Sequence, residues 1–102
     1  MYKSGGENVY PAEIEECIEA NPSVRLVAVI GVADDLYGEV GHAFVIKKPD
    51  TDLTSEQLKS WCAERLVNYK VPKKFEFRQE LPLLANGKIS KVALRKEVLT
   101  RQ

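Results

Sequence analysis

Two β-branched, apolar runs joined by one short turn constrain this chain more than any other feature. Val24, Val27, Val29, Ile30 and Val32 crowd residues 24–32, and Val40, Phe44, Val45 and Ile46 crowd residues 40–47. Asp34-Asp35-Leu36-Tyr37-Gly38 between them has the chemistry of a turn. Apolar side chains fall on both faces of the first run, which predicts a central strand. The connection is too short for a crossover, so the second run is expected as its antiparallel partner. A third, shorter strand is expected over residues 74–79, where Phe75 and Phe77 alternate.

Helical signals surround these strands. Pro11 stands at a favoured first helical position, acidic residues follow it, and Ile14, Cys17 and Ile18 form an apolar stripe that Asn21-Pro22 ends. Thr54 and Gln57 are spaced as a capping box, and Leu58, Trp61, Cys62 and Leu66 mark the buried face of the helix that follows. Residues 68–72 read as a linker, and 81–88 as an extended loop closed by an Asn86-Gly87 turn. Ser90 can cap a final helix whose apolar pair is Leu94 and Val98. The expected fold is α+β: a small, mostly antiparallel, three-stranded sheet packed with helices, preceded by a glycine-bearing turn or hairpin at Gly5-Gly6.

At 102 residues and 44% hydrophobic, the chain is one domain's worth of sequence with enough apolar content for a core. Lys plus Arg and Asp plus Glu are 15 each, so no basic surplus points to nucleic acid; the local run Lys70, Lys73, Lys74 is the exception. No apolar stretch approaches a membrane span, the start carries no apolar signal segment, and the end matches no lipidation tail. A cytoplasmic setting is expected. Cys17 and Cys62 have no metal-ligand spacing and are read as reduced core thiols on separate helices; no metal site is expected.

Two segments carry a family resemblance. One is Ser4-Gly5-Gly6-Glu7-Asn8-Val9-Tyr10-Pro11-Ala12-Glu13-Ile14-Glu15. The other is Leu81-Pro82-Leu83-Leu84-Ala85-Asn86-Gly87-Lys88-Ile89-Ser90-Lys91, with Ala93-Leu94-Arg95 after it. Residues 27–34 with Gly38-Glu39, and Tyr69-Lys70-Val71-Pro72-Lys73, also fit. In this order and at this separation, the chain resembles the C-terminal domain of the adenylate-forming superfamily, most of all fatty-acyl and aryl-CoA synthetases. The resemblance implies that residues 1–102 are a mobile lid on a larger, absent N-terminal domain that binds ATP and a carboxylic acid. One orientation of the lid would serve adenylation and the other transfer to coenzyme A. ATP, Mg²⁺ and coenzyme A are implied for the whole enzyme, with no cofactor held by this domain. The hinge residue of relatives would lie just upstream of Met1. The chain alone is expected to fold and to catalyse nothing.

The same resemblance assigns residues. Lys88 is the expected catalytic residue, since an ammonium on a flexible stem can bridge acyl and phosphate oxygens as charge moves between them. Without the flanking motif it reads as a solvated lysine beside a tight turn. Gly5 and Gly6 would line the coenzyme A tunnel, where the backbone must approach pantetheine closely; otherwise they are hairpin glycines. Lys70 and Lys73 could meet the nucleotide end of coenzyme A, or simply form a solvated face. Pro82, four intervening residues and Gly87-Lys88 resemble the pattern that bacterial protein acetyltransferases recognise, so Lys88 is also an expected acetylation site. Leu83-Leu84-Ala85 departs from the threonine-bearing pattern of the family, and Lys91 stands where Arg is frequent and is read as a surface residue. His42, without an evident acid or cysteine partner, and Trp61 are read as structural. Glu7 and Asn8 take no assigned role. Competing readings are an adenylation domain that loads a carrier-protein thiol, and a non-catalytic α+β interaction module with no need of Lys88.

Overall fold

The computed structural model describes residues 1–101. Five strands form one sheet: β1 (Tyr2–Ser4), β2 (Glu7–Val9), β3 (Val24–Asp34), β4 (Gly38–Lys47) and β5 (Lys74–Phe77). Three helices accompany them: α1 (Pro11–Glu19), α2 (Ser55–Arg65) and α3 (Lys91–Thr100). β3 and β4 pair antiparallel from Val24↔Lys47 to Asp34↔Gly38, as their short connection requires. The glycine hairpin is part of the sheet rather than an appendage, because Ser4 of β1 pairs with Gly38 at the start of β4. β5 joins β4 in parallel, reaching it through α2 and a 3-10 turn at Asn68–Lys70.

The strand order β2-β1-β4-β3, with β5 also on β4, makes β4 the central strand and β3 an edge. The apolar run of β3 therefore reports two covered faces, not two neighbouring strands. On one face, Val27 and Val29 with Ala43 and Val45 pack against Ile14 and Ile18 of α1 and Leu58 and Cys62 of α2. On the other, Ala28, Ile30, Phe44 and Ile46 pack against Leu94 of α3 and Leu81 of the preceding loop. The alternation follows the two-residue strand period.

Local chemistry sets the helix starts. Thr54 Oγ1 accepts from Gln57 N at 3.2 Å while Gln57 Oε1 accepts from Thr54 N at 3.0 Å, completing the capping box. Ser90 Oγ accepts from Ala93 N at 3.2 Å at the start of α3. Cys62 is fully buried and Cys17 half-buried beside it; burial pushes both thiols up, Cys62 to about 12. Trp61 is half-buried rather than central to the core. Its Nε1–H donates to Cys17 O at 2.8 Å, and the Arg65 guanidinium lies 3.3 Å from its ring centroid.

Candidate functional site

Lys88 projects from a small hairpin on the α3 side of the sheet. Leu83 and Ile89 pair across it, Ser90 N donates to Pro82 O at 2.8 Å, and Leu84 N donates to Lys88 O at 2.6 Å. At the tip, Gly87 N donates to Leu84 O at 2.9 Å, with Gly87 at φ +87°, and Lys88 N donates to the Asn86 side chain at 3.0 Å. The Asn-Gly pair thus fixes the backbone of Lys88 while its side chain stays exposed. Among the described residues, no carboxylate lies within ion-pairing distance of its ammonium.

Gly5 and Gly6 are the two central residues of the β1–β2 hairpin, at φ +58° and +85°, the signs a twisted two-residue turn demands. Gly5 N donates to Tyr37 O at 2.9 Å, tying this tip to the β3–β4 turn. A Cβ at Gly5 would rest 3.7 Å from the Tyr37 ring, whereas at Gly6 it would meet nothing within 4 Å. Packing inside this domain thus leaves the space over Gly6 open.

Beside Gly5 is a cleft of about 280 Å³ lined by Ser4, Glu7, Tyr37, Asn68, Tyr69 and Lys73. The Lys73 ammonium sits 5.1 Å from the Tyr37 ring centroid, available to an anion. Lys70 is committed elsewhere: Glu13 holds its ammonium at 2.9 Å and raises its pKa. The Tyr37, Asn68 and Tyr69 walls escape sequence reading, because the β3–β4 turn that carries Tyr37 and the 3-10 turn that carries Asn68 and Tyr69 are far apart in the chain. Lys88 and the glycine pair belong to different parts of the sheet: the Lys88 hairpin is rooted in the α3 face, whereas Tyr2 and Val9 of the glycine hairpin are buried with α1 and α2.

Two other residues differ from expectation. Lys91 is no free surface lysine; its ammonium pairs with Glu15 at 2.8 Å, three quarters of the sequence away. His42 does have an acid partner: its Nε2–H donates to Glu76 Oε1 at 3.1 Å, because the parallel β4–β5 register brings the two strands' α3-facing side chains together. The Arg101 guanidinium grips the same carboxylate at 2.6 and 3.1 Å and holds it down at about 2. Burial lowers the His42 pKa against the opposing pull of Glu76. These groups tie β4, β5 and the end of α3 together. Among the described residues, no group of three or more His, Cys, Asp or Glu side chains could hold a metal ion, and no helix is long and apolar enough to cross a membrane.

Comparison with known proteins fits the same frame. Residues 13–88 match the family model described as AMP-binding enzyme C-terminal domain. The 2-succinylbenzoate–CoA ligase of Bacillus mycoides is 47% identical over 95 residues, which is 93% of this chain and 19% of that protein. The solved structure of Mycobacterium tuberculosis fatty acyl CoA synthetase superposes with a TM-score of 0.89 at 44% identity, covering 95% of this chain and 19% of that one. ATP-bound MatB from Rhodopseudomonas palustris gives a TM-score of 0.92 at 36% identity, again over 95% and 19%. The chain therefore spans about a fifth of the length of these relatives, at 19%. With the family model covering most of its sequence, the chain belongs to the AMP-binding enzyme C-terminal domain family.

Proposed function

We propose that this domain is the mobile lid of an ATP-dependent, AMP-forming acid–CoA ligase, and that Lys88 is its catalytic residue for adenylation. The observation that carries the reading is the Lys88 hairpin: a cation with no ion-pair partner among the described residues, held on a hydrogen-bonded tip in a chain related to CoA ligases.

Adenylation brings a carboxylate onto the α-phosphorus of ATP and expels pyrophosphate, so anionic charge is redistributed over oxygens that repel one another. The Lys88 ammonium, delivered by closure over a larger ATP- and acid-binding domain, would bridge the acyl oxygen and the phosphate oxygens. Because the hairpin backbone is already fixed, little ordering remains for the moment of closure. Mg²⁺ would travel with ATP; among the described residues, no group of three or more His, Cys, Asp or Glu side chains could hold it.

The second half-reaction uses the other hairpin. The acyl carbon would be attacked by the thiol of coenzyme A, whose pantetheine must pass close to backbone. Gly6, with open space above it, allows that approach, and Lys73 in the adjoining cleft can meet a phosphate of the same substrate. Lys70, held by Glu13, is the weaker candidate for that contact.

Acid-dependent ATP–pyrophosphate exchange by the full-length enzyme tests the reading. Lys88→Ala is expected to reduce exchange by roughly two to three orders of magnitude, the scale of one lost charge-assisted transition-state contact. It should leave the reaction of supplied acyl-adenylate with coenzyme A nearly unchanged. Undiminished exchange would remove Lys88 from the chemistry. The 102-residue chain alone is expected to melt cooperatively and to release no pyrophosphate.

A further inference from the structure

The free edge of β3 is where α1, the sheet and the Lys88 hairpin meet. Among the described residues, β3 has β4 on one side and no strand on the other, so the backbone N–H groups on its outer side lack ladder partners. One of them, on the fully buried Val29, donates to Glu15 Oε2 of α1 at 2.9 Å. The same oxygen receives the Lys91 ammonium at 2.8 Å. Lys91 is the first residue of α3, directly after the Ser90 cap and three positions beyond Lys88. One carboxylate therefore reaches around the sheet edge and joins the helix on one face to the root of the hairpin on the other.

The rest of that root is already stiff. Ser90 N is bound to Pro82 O, Ile89 pairs with Leu83, and Leu81 is buried under Leu94's side of the sheet. What these bonds do not set is where the whole hairpin stands relative to the sheet. Ile89 and Leu81 hold it through apolar contact, which is non-directional. The Glu15–Lys91 pair adds a directed, charge-assisted bond at its base, with Glu15 only about a fifth exposed, at 19%, and Lys91 at 34%.

We infer that Glu15 is a positioning residue for Lys88, acting through Lys91 and the start of α3. The inference rests on the reading of Lys88 given above, and its geometric part stands apart from it. Neutralising either partner loosens the root of the hairpin, so the Lys88 ammonium arrives at the reacting oxygens over a broader spread of positions. Rates of this kind fall steeply with misplacement of about an ångström.

The test uses Glu15→Gln, which keeps an oxygen for the Val29 N–H but removes the charge, together with Lys91→Met and Lys91→Arg in the full-length enzyme. For Glu15→Gln and Lys91→Met, kcat for pyrophosphate exchange is expected to fall about tenfold with KM for ATP unchanged. The supplied-adenylate reaction should be spared, and Lys91→Arg should retain near-normal exchange. In the same preparations, hydrogen exchange of the 82–90 peptide should accelerate while β4 peptides stay protected. Equal slowing of both half-reactions, or an unchanged 82–90 peptide, would reduce the pair to an ordinary stability tie and overturn the inference. Lys88→Ala is run alongside. If it is harmless, the reading of Lys88 fails, while the hydrogen-exchange result still decides the tie. If it is crippling and Glu15→Gln is normal, only the positioning role fails.

Discussion

The Tyr2 hydroxyl occupies the space that a side chain at Gly41 would claim: a Cβ built there would stand 2.6 Å from it. Gly31 lies directly opposite Gly41 on β3, and a Cβ there would come 2.5 Å from Tyr2 Cβ. This cross-strand glycine pair is the seat of the Tyr2 ring, and it anchors the strand that leads into Gly5-Gly6. The arrangement buries a hydroxyl with no hydrogen-bond partner among the described residues and pushes Tyr2 up to about 12, chiefly by desolvation.

Tyr2→Phe is therefore expected to be neutral or to stabilise the fold by roughly 1 kcal/mol, because it removes an unsatisfied buried oxygen. Gly41→Ala should cost about 1–3 kcal/mol in the native sequence through overpacking. It should cost less in the Tyr2→Phe background, where Pro72 Cα at 3.2 Å becomes the nearest obstacle. A double-mutant cycle by urea denaturation measures the difference. Strictly additive effects would mean the hydroxyl does not fill that space. Gly31→Ala should stay costly in either background, since it meets Tyr2 at Cβ and not at the ring tip.

What could be read in sequence and what could not divide along this same line. Local chemistry was legible: the Thr54–Gln57 box, the Ser90 cap, the Asn86-Gly87 tip and the β3–β4 pairing all follow from residues within a few positions of one another. Glu15–Lys91, His42–Glu76 and the seat of Tyr2 join positions 76, 34 and 29 or more residues apart, and no spacing rule encodes them. The edge position of β3 was hidden for a related reason. Its side-chain pattern reports what covers its faces, and strand order depends on where α2 returns the chain as β5. Of the candidate site, the motif residues Lys88, Gly5 and Gly6 were legible; the cleft walls Tyr37, Asn68 and Tyr69 were not.

Acid should weaken the tie between β5 and the end of α3. Glu76 sits at about 2 when folded against an ordinary 4.5, held there first by the Arg101 hydrogen bonds. Between those values the unfolded chain binds the extra proton, so stability contributed by Glu76 is present above about pH 4.5 and is lost as pH falls towards 2. His42, lowered from 6.5 by burial, acts in the same direction, since its neutral form belongs to the folded state and its contribution is lost as pH falls below 6.5. Thermal melts from pH 7 down to pH 2 should show Tm declining through both windows. Glu76→Gln should flatten the lower one, and an unaltered acid limb in that variant would assign the loss to other carboxylates.

Lys88 is expected to be the preferred target of a bacterial protein acetyltransferase of the kind that recognises Pro-X4-Gly-Lys patterns. Its ammonium is exposed, whereas Lys70 and Lys91 are engaged by Glu13 and Glu15. Acetylation would remove the charge proposed to serve adenylation. Tryptic mass spectrometry after incubation with acetyl-CoA and such an enzyme should find Lys88 modified first, with loss of pyrophosphate exchange in proportion. Modification of other lysines with Lys88 untouched would end the idea.

The two hairpins should fail separately. Gly6 adopts φ +85°, so any side chain there costs roughly 1 kcal/mol in backbone strain before it blocks anything. That cost is controlled with Gly6→Asn, since asparagine tolerates the left-handed region better than most residues. In the full-length enzyme, Gly6→Leu is expected to slow the reaction of supplied acyl-adenylate with coenzyme A by at least about tenfold and to spare pyrophosphate exchange. Gly6→Asn should fold more like the native chain, and because its side chain reaches as far as leucine's it should also slow the coenzyme A reaction while sparing pyrophosphate exchange. Lys88→Ala should show the opposite split. If Gly6→Leu depresses both half-reactions alike while Gly6→Asn is normal in both, the effect belongs to turn strain, and the open space over Gly6 is not a path for coenzyme A.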